Sequence, residues 1–124
     1  MDTHRQTLGR RGEDIAAGHL QLQGYAIIAR NWRCPAGEID IVAREAEELV
    51  FVEVRARRGE KYGTAEESIT ARKQAKLVEV AQTYVLTMDL EDVAWRIDVV
   101  AIEVGARGQA LRLNHIRSAV GSTE

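Results

Sequence analysis

Two acids sit inside runs that otherwise read as buried strands. Asp40 lies between Ile39 and Ile41 in GEIDIVA, and Glu53 lies between Val52 and Val54 in LVFVEVRAR. Two carboxylates in apolar surroundings repel each other and are costly to desolvate, so something positive must neutralise them. A hard divalent cation is one solution. Mg2+ takes one or two carboxylates, keeps several waters, can activate a bound water and can steady a phosphate oxygen. Ion pairs are the other solution, with Arg55 on Glu53 and Arg96 or Arg44 on Asp40. From spacing alone the ion pairs are the commoner outcome, because short motif matches arise readily by chance.

Those side chains need strands to position them. Alternation along a strand puts Glu38, Asp40 and Val42 on one face of the second strand, and Leu49, Phe51, Glu53 and Arg55 on one face of the third. Antiparallel pairing of the two brings Asp40 beside Glu53. Before them, Gly9 to Gln23 reads as a helix with Ile15, Ala16, Leu20 and Leu22 as its apolar stripe, Glu13 and Asp14 near its positive end, and Gly24 as its stop. YAIIAR reads as the first strand, NWRCPAG as a turn and AREAEE as a polar link, and such short links favour an antiparallel meander.

After the loop RGEKYGTAE comes a long helical pattern, ITARKQAKLVEVAQTYVLT, with Leu77, Val80, Ala81, Tyr84 and Val85 on one face. Thr70 is its expected N-cap, and Thr64 with Glu67 has the spacing of a capping box for an earlier turn. VAWRIDVVAIEV is β-branched and nearly continuously apolar, as a strand covered on both faces should be, and a helical crossover makes it parallel to the third strand. LRLNHIRSA is expected at a sheet edge, followed by a loose GSTE tail. The chain reads as one domain, residues 1–124 with a core over about 9–119, of α/β class and αβββαβ order: a mixed central sheet flanked by helices.

Composition sets outer limits. With 124 residues, 45% of them hydrophobic and 29% charged, the chain suits one globular domain. No apolar run reaches the roughly 20 residues of a membrane span, and the start MDTHRQTLGRRGED has no signal-peptide core, so a cytoplasmic protein without a membrane partner is expected. The lone Cys34 excludes an internal disulfide or a cysteine-rich zinc site. A formal charge of −2 argues against a uniformly basic coat protein, but seven bases gather between Arg55 and Lys76: Arg55, Arg57, Arg58, Lys61, Arg72, Lys73 and Lys76. They are a solvated surface or a phosphate-facing strip.

Asp40, followed by a strand carrying Glu53-Val54-Arg55, resembles the D-(x)n-(D/E)-x-K signature of the PD-(D/E)XK nuclease superfamily, whose restriction-endonuclease-like core has the same αβββαβ order. More narrowly, GRRGEDIAAGHL, GEIDIVA, LVFVEVRAR, ITARKQAKL and WRIDVVAIE in succession resemble the YraN-like family of bacterial proteins, which is related to Holliday-junction resolvases. The resemblance runs from about Gly9 to Ala119. It implies Mg2+ or Mn2+ held by Asp40, Glu53 and the Val54 carbonyl, Glu13 as a further carboxylate over the site, and Arg55 in the place of the signature lysine. It also implies Lys73 and Gln74 facing the site or the substrate backbone, nucleic acid (DNA rather than RNA) as partner, and room for a homodimer.

The arginine is a departure. It keeps the positive charge but does not deprotonate, and its planar fork tends to grip carboxylates. Three classes of function remain at this point: a metal-dependent nuclease acting on DNA, including structured or branched DNA; a non-cleaving nucleic-acid-binding module; and a protein-interaction scaffold whose site is filled by the Arg55–Glu53 pair.

Overall fold

A computed structural model describes residues 4–59 and 63–120; Lys61, one of the expected backbone-binding bases, lies outside them. The elements run α1 (His4–Leu22), β1 (Ala26–Cys34), β2 (Gly37–Glu45), β3 (Glu48–Arg57), α2 (Ala71–Thr87), β4 (Trp95–Val104) and β5 (Ala110–Ile116), with one 3-10 turn at Glu66–Ser68. The strands form a single sheet in the order β1-β2-β3-β4-β5. Only β3 and β4 are parallel, as the α2 crossover requires, and the other neighbours are antiparallel.

Each face of the sheet carries one helix and one core. Ala16, Ala17 and Leu20 of α1 pack with Ile41, Ala43, Val50, Val52, Val100 and Ile102. Leu77, Val80, Ala81, Tyr84 and Val85 of α2 pack with Ile39, Val42, Phe51 and Ile97 on the other face. There the rings meet edge to face in a chain from Trp32 through Tyr84 and Phe51 to Trp95, with centroids 5.0, 5.4 and 5.6 Å apart.

Local chemistry explains most element ends. Thr70 caps α2 by accepting from the Lys73 amide at 3.2 Å. Thr64 and Glu67 form the reciprocal capping box ahead of the 3-10 turn, Thr64 N–H to Glu67 Oε1 at 2.8 Å and Glu67 N–H to Thr64 Oγ1 at 3.1 Å. Three expected boundaries are corrected. The first helix begins at His4 rather than Gly9, which places Glu13 in mid-helix and removes its helix-dipole role. NWRCPAG is not all turn: β1 continues through Cys34, because Trp32 is drawn into the α2 core while Asn31 takes a left-handed φ of 55°. AREAEE shrinks to a tight Ala46–Glu47 turn between β2 and β3, with Ala46 at φ 54°.

Candidate acidic site in a forked sheet

The ladder between β2 and β3 stops at the rung Ile41–Val52. Beyond it Gly37–Ile39 of β2 stay paired with β1, while Glu53–Arg57 of β3 stay paired with β4. The sheet therefore forks, and Asp40 and Glu53 are the first residues past the split.

Side-chain alternation also fails there. Ile41 belongs to the α1 core but Ile39 to the α2 core, two residues away on the same strand. On β1, Arg30 reaches Glu13 and Asp14 of α1, whereas Trp32 enters the α2 core, with left-handed Asn31 between them. Both strands thus change face at the Asn31–Asp40 level. The shared face expected for Glu38, Asp40 and Val42 is corrected accordingly: the Asp40 carboxylate lies along the hydrogen-bonding direction of the sheet, where Oδ2 accepts from the Val54 amide at 2.8 Å. The N–H and C=O of one strand residue point to the same edge, so the Val54 carbonyl also faces the fork.

Glu53 comes to the fork from the α2 side, where a small cleft is lined by Glu38, Glu53, Lys73, Lys76, Leu77 and Val80. Glu13 comes from the α1 side, in a wider cleft with Gly9, Arg10, Asp14, Arg30, Asn31, Arg33 and Glu38. Glu38 lines both. The reach of α1 depends on Gly12, where a Cβ would stand 2.8 Å from the Ala56 Cβ, so only glycine permits this approach of helix to β3.

Several charges around the fork are paired. Arg33 holds Glu38 at 2.7 Å, and Arg30 holds Asp14 at 2.9 Å and Glu13 at 3.4 Å. Arg55 Nη2 lies 3.2 Å from Glu53 Oε2, the ion pair that the sequence allowed. That contact is not aligned as a hydrogen bond: Arg55 Nε and Nη2 are buried and have no acceptor among the described residues. Among the described residues Asp40 has no cationic partner. Arg96, an expected partner, is instead held by Asp98, Glu48, Glu45 and the Tyr25 hydroxyl, and Arg44 lies at the other end of β2, in a cleft with Glu47 and Leu90.

Titration follows from that imbalance. Burial, the Glu53 charge and a hydrogen bond with Glu53 push the Asp40 carboxyl up to about 8. Burial and then the Asp40 charge raise Glu13 as well, against the opposing hydrogen bonds of Asn31 and Arg30. Asp40 therefore keeps its proton at neutral pH, beside the Glu53 carboxylate that it is hydrogen-bonded with.

Among the described residues no three His, Cys, Asp or Glu side chains converge as a closed metal cage. A Mg2+-type site does not need one, since two carboxylates, a strand carbonyl and waters suffice. Asp40, Glu53 and the Val54 carbonyl fit that donor set.

The other expected residues divide. Lys73 and Lys76 line the Glu53 cleft, while Arg72 and Gln74 line neither cleft. Arg57 and Arg58 lie at the far end of β3, Arg58 bonded to the Gly105 carbonyl. Sequence reading missed Glu38, Arg30 and Asn31 as parts of the site. A short polar residue after a strand-like AIIAR run was the available signal for a left-handed kink.

Comparison with known sequences adds kinship. The family described as "Uncharacterised protein family UPF0102" matches residues 12–102. A UPF0102 protein of Roseiflexus castenholzii is 52% identical over 121 residues, 97% of this chain and 98% of the relative. One of Chloroflexus aurantiacus is 47% identical, with 98% of each chain covered, and one of Geobacter sulfurreducens is 43% identical, with 94% of this chain and 90% of the relative covered. Among the described residues no helix is long and apolar enough to cross a membrane.

Proposed function

The chain belongs to the uncharacterised protein family UPF0102, and on that footing we propose that it is a divalent-metal-dependent phosphodiesterase acting on nucleic acid, with DNA as substrate. One observation carries this reading: Asp40 is fixed in the sheet fork by the Val54 amide, has no cationic partner among the described residues, and is pushed up to about 8 by burial and by Glu53 beside it. The resemblance to the PD-(D/E)XK nucleases, in which acids at these two strand positions hold Mg2+ or Mn2+, supports the same assignment.

Asp40, Glu53 and the Val54 carbonyl would hold the metal. When bound, it would acidify a water and draw charge from a phosphoryl oxygen. Glu13, uncharged more readily than an exposed glutamate, is positioned to orient that water or carry its proton. Arg55 has two donor nitrogens without acceptors among the described residues and would turn them on the charge that develops on the phosphate.

The test is cleavage of branched and linear DNA with Mg2+ or Mn2+. Asp40→Asn and Glu53→Gln should each lower the rate by about 100-fold or more. Equal cutting by the wild type and both variants, or no cutting of any DNA or RNA substrate with either metal, would refute the proposal. A second reading is favoured by the Arg55–Glu53 contact: the guanidinium supplies the charge a metal would bring, and the fold binds nucleic acid without cutting it. Calorimetry that finds no divalent ion bound to a DNA-binding protein would select it.

A further inference from the structure

The β4–β5 turn is fastened by arginines from two other elements. Arg11 of α1 donates from Nε to the Gly108 carbonyl at 2.7 Å, and Arg58, just past β3, donates from Nη1 to the Gly105 carbonyl at 3.0 Å. The turn closes on itself as well, Gly105 N–H to the Gln109 carbonyl at 2.8 Å and Gly108 N–H to the Gly105 carbonyl at 3.0 Å. The Arg107 amide donates to Gln109 Oε1 at 2.9 Å, which leaves the Arg107 side chain exposed at the tip of a braced loop.

The packing of Gly12 on Ala56 sets the middle of α1 against the end of β3. Arg10 and Arg11 are thereby brought to the same end of the molecule as Arg57, Arg58 and Arg107, and all five are exposed. Glu103, opposite Arg57 in the β3–β4 ladder, lies 3.9 Å from Arg112 of β5. A dense positive collar therefore stands on a chain whose formal charge is −2. Arg10 also lines the cleft that contains Glu13 and Glu38, so the collar runs into the acidic site.

We infer that this arginine collar docks the phosphate backbone of a nucleic-acid strand and leads it to the Asp40–Glu53 fork. The second half of that statement rests on the phosphodiesterase reading; the docking itself does not. Guanidinium forks match phosphate oxygens two at a time, and each has five N–H donors, so Arg11 and Arg58 keep four after bonding a turn carbonyl. Because those side chains are already held, binding orders them at little further entropic cost. An anionic membrane is the weaker match. Interfacial binding needs apolar side chains to enter the lipid, and the turn Gly105-Ala106-Arg107-Gly108-Gln109 offers no large one.

The test uses the full chain carrying Asp40→Asn, so that binding is read without cutting, with a labelled DNA duplex and fluorescence anisotropy over a range of salt. Adding Arg57→Gln and Arg107→Gln should flatten the slope of log affinity against log salt by about 2, one phosphate contact for each residue. The weakening should be uniform across sequences, and the thermal midpoint should hold, because the Arg107 amide and not its side chain braces the turn. An unchanged slope and affinity overturn the inference. So does an Asp40→Asn protein that binds no DNA at low salt, or a collar whose loss affects anionic vesicles alone. If the slope flattens as stated while the wild type cuts nothing, the collar stands and the catalytic reading falls. If the wild type cuts while the slope does not move, the catalytic reading stands and the collar falls.

Discussion

The Val54 amide donates to Asp40 Oδ2 at 2.8 Å, so two residues past Val52 a side chain takes the acceptor role that a β2 carbonyl would fill in an unbroken ladder. The bond holds the fork open and aims the carboxylate at its mouth. It also satisfies a strand amide that would otherwise be unpaired at the split.

This arrangement makes stability depend on pH in a definite direction. The Asp40 carboxyl is raised from an ordinary value near 3.8 to about 8, so the folded state holds the proton more tightly than the unfolded state. The resulting stability is fully present below about pH 4 and is lost as pH rises through 8. Glu13, raised for related reasons, adds in the same sense. Without divalent metal, Asp40→Asn should melt roughly 3–8 °C above the parent at pH 8–9, and by much less at pH 4. Mn2+ should stabilise the parent at high pH and leave the variant unmoved. Thermal unfolding with and without chelator measures both, and a variant that melts lower than the parent at pH 9 contradicts the account.

Arg55→Lys tests what the guanidinium does to Glu53. Lysine keeps the charge as a compact point and removes the buried Nε and Nη2 donors that lack acceptors. The expected result is tighter Mn2+ binding and faster DNA cleavage, each by about 10-fold. Calorimetry and a nicking assay read the two effects separately. Unchanged metal affinity would mean that the Glu53–Arg55 contact does not compete with the ion.

Arg96 carries a structural load apart from the site. Its guanidinium reaches fully buried Asp98 at 2.9 Å, Glu45 at 3.0 Å, Glu48 and the Tyr25 hydroxyl, and His115 meets Asp98 from the far side at 2.8 Å. Removing one partner of a buried pair leaves an uncompensated charge, so Arg96→Ala should cost about 3–5 kcal/mol in urea unfolding. A loss under about 1 kcal/mol would show that water reaches Asp98 easily.

Gly12→Ala should push α1 away from β3, because its new Cβ meets the Ala56 Cβ at 2.8 Å. The expected cost is about 1–3 kcal/mol, with a loss of activity as Glu13 withdraws. Pairing it with Ala56→Gly should restore most of both. If the double variant regains stability but not activity, the placement of Glu13 is not what the glycine protects.

Much of this was legible in the residues alone. The β-branched runs, the Thr70 cap, the Thr64–Glu67 box and the length of the crossover specify the strand order and the single parallel pair by local rules. Asp40 and Glu53 stood out because an acid in an apolar run needs a reason. The fork did not stand out, since alternation assumes an unbroken strand and nothing in IDI announces a change of face. Nor did the set of partners of Arg96, which comes from β2, β3, its own strand β4 and the α1–β1 link and converges only in the fold. Arg57 and Arg58 fall in one basic run of the sequence, and Arg10 and Arg11 in another. What brings them together with Arg107 is a glycine contact and a hairpin turn that no local pattern encodes.

The aromatic chain across the α2 face has an optical consequence. The protein has two tryptophans. Trp32 follows the Asn31 kink and is paired with Ile39, one residue from Asp40, whereas Trp95 opens β4 at the closed end of the sheet, opposite Leu49. Intrinsic fluorescence therefore contains a signal and its own reference. With Trp95→Phe the remaining emission should follow whatever enters the fork, and with Trp32→Phe it should stay dark to that event while still reporting unfolding.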